Sequence, residues 1–147
     1  MEEAMALPRK FEAYRGAGMG GAVNVDMGLE DGELDAEITL GGIDPQIFRQ
    51  WAITKADGIP LRFMGSYQRD DTGEIIAAEV VMRGCFAEFD FGNHKYGDNT
   101  QTKLSVKNVY YKLNLGGEVL IEIDTLNMVE VAGGDDRQAE HRRAIGL

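Results

Sequence analysis

From Glu33 to Leu40 every second residue is apolar. Leu34, Ala36, Ile38 and Leu40 alternate with Glu33, Asp35, Glu37 and Thr39. A period of two puts one residue set on each side of an extended chain, so this segment reads as a strand with one face on a core. The same period returns at Leu61, Phe63 and Tyr67, and again at Ile76, Ala78, Val80 and Met82. It appears a fourth time where Val119, Ile121 and Ile123 alternate with Glu118, Glu122 and Asp124. Asp70-Asp71-Thr72-Gly73 and Gly116-Gly117 are turn sequences of the kind that close hairpins. The segment from Lys103 to Leu115 carries apolar residues on both faces near its middle, which predicts a bulge or two-sided burial. Leu7 to Tyr14 reads as extended chain, and Asp90 to Thr100 as a polar loop. A mainly β, antiparallel domain follows.

Two segments break the strand pattern. Asp44-Pro45 is a helix start, a capping carboxylate followed by proline at the first helical position. Ile47, Phe48, Trp51 and Ala52 then share one face, Gly58 ends the helix, and Trp51 is expected as a core anchor. Near the C-terminus, Gly133-Gly134 precedes a short charged helix from Asp136 to about Ala144. No repeat or low-complexity tract divides the chain, so residues 1–147 read as one domain.

Composition narrows the function. The chain carries 25 acidic against 15 basic residues, a formal charge of -10, which argues against a protein built to grip DNA or anionic lipid. It contains no apolar run long enough to span a membrane and no secretory signal. Cys85 is the sole cysteine and reads as a buried, inert thiol. Nineteen glycines against three prolines suit many turns between strands.

Candidate chemistry is thin. Gly16-Ala17-Gly18-Met19-Gly20-Gly21 matches the dinucleotide-binding glycine pattern, but Val23 and Val25 alternate with polar neighbours where that motif needs a helix. A loop needing backbone freedom is the better reading. Asp90-Phe91-Gly92 lacks the other kinase elements. Asp90, His94 and Asp98 could gather round a divalent metal, although nothing local fixes their spacing. His141 has no evident carboxylate to orient it. Arg137, Arg142 and Arg143 form a basic cluster that suits a helix C-terminus. No catalytic residue, cofactor or metal site is expected.

The carboxylates are more informative. Asp26, Glu30, Asp31, Glu33, Asp35 and Glu37 occur with no lysine or arginine among them. Glu33, Asp35 and Glu37 share one polar strand face, and Glu118, Glu122 and Asp124 share another. Such a face is solvated by default, yet like charges on adjacent strands destabilise a sheet.

Five stretches, read in order, identify a family: "YRGAGM" (14–19), "FMGSYQRDDTGE" (63–74), "EVVMRG" (79–84), "EIDTLNM" (122–128) and "HRRAIGL" (141–147). With them the chain resembles, over nearly its whole length, the major tail tube protein of contractile-tailed bacteriophages. The resemblance implies a β-sandwich or barrel-like tail tube fold with one flanking α-helix and a short C-terminal helix. It also implies a structural virion protein: hexameric rings that stack into the hollow inner tail tube, through which phage DNA passes. Its partners would then be further copies of itself, the tail sheath protein, and baseplate and tail terminator proteins. DNA would enter only transiently and no membrane is involved. The location is the virion tail, assembled in the bacterial host cytoplasm. Tyr14, Arg15, Gly16, Gly18 and Met19 are then a subunit-contact loop, and Glu33, Asp35, Glu37, Glu118, Glu122 and Asp124 are candidates to line the lumen. Family members carry a further apolar strand ahead of Leu7-Pro8-Arg9. Here only Met1-Glu2-Glu3-Ala4-Met5-Ala6 stands there, so that strand is expected to be missing or shortened, which bears on stacking. Two alternatives remain: a tube protein of a related contractile bacteriocin or secretion device, and a small β-barrel cofactor-binding protein.

Overall fold

The computed structural model describes residues 2–5, 9–18, 20–29 and 34–147. The chain runs through β1 (Glu2–Met5), β2 (Arg9–Tyr14), β3 (Val23–Leu29) and β4 (Ala36–Gly41). Then follow α1 (Pro45–Gln50), β5 (Ile59–Gln68), β6 (Ile75–Asp90), β7 (Gln101–Leu115), β8 (Glu118–Asp124), β9 (Val129–Ala132), β10 (Asp135–Asp136) and α2 (Ala139–Ala144). All the pairings are antiparallel. The mainly β, antiparallel fold is as the alternation predicts, with one short helix after Asp44 and another near the C-terminus, where helices were expected.

β7 is the spine of the sheet. One edge pairs with β6 along most of its length, while the other pairs first with β4 and then with β8. β4 carries β1 on its far edge, β8 carries β9 and β10, and β5 closes the β6 side. β2 and β3 form a separate two-stranded ribbon. Inward residues of these strands make two adjoining cores. Leu34, Ala36, Met82, Tyr111 and Ile123 form one, and Ile38, Ile59, Phe86, Leu104 and Val106 the other. Leu61 and Phe63 pack against both.

The bulge predicted for β7 is present. Arg83 pairs with Tyr110 and Gly84 with Asn108, so Val109 is the extra residue. Below it Thr102, Leu104, Val106 and Asn108 are buried; above it the buried position moves to Tyr111. The sequence could show apolar residues on both faces, and the bulge is what reconciles them. Gly84 sits opposite, where a Cβ would fall 2.2 Å from the Lys107 carbonyl oxygen. Asn108 ties the bulge to the turn before β4 by donating from Nδ2 to the Leu34 carbonyl at 2.9 Å.

The hairpin turns form where expected. Gly116 and Gly117 take φ of +61° and +85°, the left-handed pair a two-residue turn requires. Gly73 closes the β5–β6 loop at φ +69°, donating to the Arg69 carbonyl at 2.8 Å.

The helix after Asp44 begins as predicted, with the Asp44 carboxylate accepting from the Gln46 amide at 2.9 Å. It is, however, six residues long and does not reach Gly58. Ile47 and Ile53 both pack on the same core. Six residues of continuous helix would set them roughly 240° apart, so the chain must leave the helix to bring Ile53 inward. Trp51, expected as a core anchor, is 56% exposed as a result. Cys85 is half-buried rather than buried. Strand β4 begins at Ala36, with Leu34 buried just ahead of it; Glu33 lies outside the described residues.

Candidate functional site

Of the lumen candidates, Asp35, Glu37, Glu122 and Asp124 sit on the face of the sheet turned away from the core, where sequence alone gave them no partners. The structure supplies lysines. Because Thr102, Leu104, Val106 and Asn108 point inward, Lys103 and Lys107 of β7 point outward, towards β4. Lys107 pairs with Asp35, and Lys103 lies 3.6 Å from Glu37. Lys112 stands directly opposite Glu122 in the β7–β8 register. These three lysines are the neighbours of the carboxylates that sequence reading missed. The signal was their position between buried residues of β7, but their partners lie up to 72 residues away in sequence.

Glu122 accepts a hydrogen bond from the Tyr110 hydroxyl at 3.1 Å, and the Arg83 guanidinium lies 4.0 Å over the Tyr110 ring. Burial, reinforced by the Glu122 carboxylate, raises the Tyr110 phenol above its ordinary pKa. On β5 and β6 the same outward face carries Arg62 and Glu79, paired at 2.8 Å, and the hydrogen bond from Arg62 holds the Glu79 carboxyl below its usual range.

The three carboxylates of β8 do not share one face. Leu113 pairs with Ile121 but Leu115 pairs with Glu118, because Leu120 is an extra residue in β8. Glu118 therefore lies on the side of Ile121, while Glu122 and Asp124 lie on the other. Asp124 is occupied with its own turn. It accepts from the amides of Leu126 (3.1 Å) and Asn127 (3.2 Å) and from Asn127 Nδ2 (2.7 Å).

That turn ends at Met128, a non-glycine residue at φ +53° whose carbonyl accepts from Arg142 of α2. Arg142 also pairs with Asp136, and its guanidinium holds the Asp136 carboxyl below the ordinary range. The stretches "EIDTLNM" and "HRRAIGL" thus meet in space. Arg142, one of the three basic candidates, is a structural clamp. Asp90, His94 and Asp98 do not converge; among the described residues no three His, Cys, Asp or Glu side chains gather to hold a metal.

The β2–β3 ribbon holds the candidate contact loop. Its base is fixed by Arg9, which bonds Asp26 at 2.6 Å and pairs with the buried Glu130 of β9. Beyond that base β2 is exposed throughout. Tyr14 ends β2, Arg15 and Gly16 follow it, and Gly18 takes φ +87° in the turn; Met19 lies outside the described residues. The glycines here serve a turn between two strands, and no helix follows them.

A third surface lies beside α1. Phe48 stacks on Phe89 (5.2 Å between centroids) and Phe91 (5.4 Å), and Trp51 tilts against Phe89 at 6.3 Å. With Ala87 and Glu88 these rings line a cleft of about 400 Å³.

An exposed ribbon, an uncovered aromatic cleft and an edge strand, β5, that pairs among the described residues only with β6 are features of structural β proteins that associate. Residues 5–146 match the family model described as phage tail tube protein FII, and the chain belongs to that family. It is 53% identical over 142 residues to the tail tube protein of Escherichia phage P2, covering 96% of this chain and 83% of that one. It is 41% identical over 121 residues to the major tail tube protein of Serratia phage KSP20, covering 82% and 69%. The protein is a structural tail tube protein and a component of the phage tail, as its five sequence stretches imply.

Proposed function

We propose that six copies close into a ring and that rings stack into the hollow inner tube of a contractile tail, through which phage DNA passes. The observation that carries this reading is the β5 edge. Ten residues of backbone, Ile59–Gln68, lack a second strand among the described residues, and in a family of tube proteins another subunit is the natural cover. The tail sheath, baseplate and tail terminator proteins are the remaining partners, assembly takes place in the host cytoplasm, and no catalysis or cofactor is involved.

The outward face of β4, β7 and β8, with Asp35, Glu37, Glu122 and Asp124, lines part of the lumen in this reading. Glu33, outside the described residues, is assigned with them; Glu118, on the opposite side of β8, does not share that face. The lysines refine the physics. A lysine held by a carboxylate is a poor phosphate ligand, so Lys103 and Lys107 add little salt-sensitive attraction to a sliding duplex. Electron microscopy and sedimentation of the purified protein test the assembly. Six-fold rings or tubes are expected, and a strictly monomeric protein at high concentration overturns it.

A further inference from the structure

The ribbon and the aromatic cleft are two unmet surfaces on one chain. A two-stranded ribbon exposed on both faces is marginal in water. This one extends roughly 20 Å and leaves Phe11, Tyr14 and Val23 between 50% and 61% exposed. Leu29 and Arg9 anchor its base, but among the described residues nothing covers its tip. The cleft has the converse deficit: Trp51 and Phe91 remain 56% and 43% exposed over a column of stacked rings.

Charge matches the two. Arg15 follows Tyr14 at the ribbon tip, and Glu88 lines the cleft. Neither side chain makes an ion pair or hydrogen bond among the described residues. We propose that the ribbon tip of one subunit seats in the aromatic cleft of the next, with Tyr14 against Trp51 and Phe91 and Arg15 beside Glu88. Different patches then meet, so the contact is head-to-tail. Such a contact closes into rings or runs on as a filament, whereas a self-complementary patch would stop at a dimer. The inference rests on the tube reading above and gives it a specific joint.

Trp51 is the only tryptophan, so its emission reports the cleft directly. On assembly of the full-length protein its emission should shift to the blue and its acrylamide quenching should fall. Tyr14→Ala should raise the concentration for half-assembly at least tenfold, as loss of a buried aromatic anchor does. Arg15→Glu should raise it about fivefold, as expected for a rim charge. Combining Arg15→Glu with Glu88→Arg should restore it, a rescue that a mere folding defect would not show; circular dichroism of each variant checks the fold. Rings that form while Trp51 stays as quenchable as in the monomer overturn the joint and leave the tube reading standing. A cross-link from Phe91→Cys to Leu147→Cys, with none to Tyr14→Cys, gives the cleft to the C-terminal segment and also overturns it. Wild-type protein that never assembles overturns both.

Discussion

Replacing Gly84 with alanine adds one methyl at the tightest point of the sheet. The new Cβ would lie 2.2 Å from the Lys107 carbonyl oxygen, 2.7 Å from Asn108 Cα and 2.7 Å from Asn108 Oδ1. Two of these atoms are backbone, so no rotamer relieves the clash, and β6 and β7 must separate by roughly 1 Å to restore contact distances. Overpacking of this kind costs roughly 1–3 kcal/mol. Moving Asn108 also loosens its bond to the Leu34 carbonyl, about 1 kcal/mol more. The sum is roughly 2–4 kcal/mol, or about 8–16 °C in Tm at about 4 °C per kcal/mol for a chain of this length. Gly65→Ala is the control. Gly65 lies in β5 of the same sheet with nothing within 4 Å of its Cβ position, and should melt within about 2 °C of wild type. Thermal melts followed by circular dichroism compare the three proteins. If Gly84→Ala and Gly65→Ala melt together, the close approach at the bulge is not what fixes glycine there.

Arg9→Ala leaves the buried Glu130 carboxylate without its guanidinium and should cost about 3 kcal/mol in urea denaturation, partly recovered by adding Glu130→Gln. Gly73→Val forces a β-branched residue to φ +69° and should cost roughly 1–3 kcal/mol, while Thr72→Ser stays near wild type; equal stability would refute the turn. Asp136 titrates below the ordinary 3.8 because Arg142 binds its charged form. Its contribution is present above that value and lost as pH falls through the lower folded pKa. Amide protection factors over Ala139–Ala144, taken relative to the intrinsic exchange rate at each pH, should therefore fall below about pH 3.8, and Asp136→Asn should abolish that dependence. Replacing Asp35 by asparagine and Glu37 by glutamine in infectious particles leaves Lys107 and Lys103 unneutralised without opposing like charges, and should leave tubes assembled but slow DNA ejection at low salt, with recovery as salt rises; ejection that does not depend on salt counts against the lumen assignment.

What was legible in the sequence was local. Alternation along Ala36–Leu40, Leu61–Phe63, Ile76–Met82 and Ile121–Ile123 reports which side chains face a core, and Gly73 and Gly116-Gly117 report turns, because both depend only on neighbours in the chain. The bulge in β7 left its trace as a change of phase between Val106 and Tyr111. The pairing of β4 with β7 left none: Asp35 looked unopposed because Lys107 lies 72 residues away. The over-long helix had a similar cause, since only the position of the core shows why Ile53 must turn inward. Trp51 was misplaced for the same reason. Glu118 was assigned to the wrong side of β8 because Val119, Ile121 and Ile123 hide the extra residue at Leu120.

The branched pairing of β7 also sets the order in which the subunit matures. The hairpins β5–β6, β6–β7, β7–β8 and β8–β9 join consecutive strands and close short loops. β4 meets β7 only after most of the chain has been folded back, and Asn108 reaches Leu34 across 74 residues. Loop-closure entropy makes such contacts late to form. Substitutions in β6 and β7 should therefore slow folding, and those in β4 should mainly speed unfolding. The ribbon lies ahead of β4 in the chain, and Arg9 fixes it to Glu130 of the late-synthesised β9. A chain still on the ribosome, or one damaged in its C-terminal half, has no Glu130 partner to set the ribbon in place. The ribbon therefore takes its place last, once the C-terminal strands are in the sheet, and in the tube reading proposed above a subunit is fit to join others only when its chain is complete.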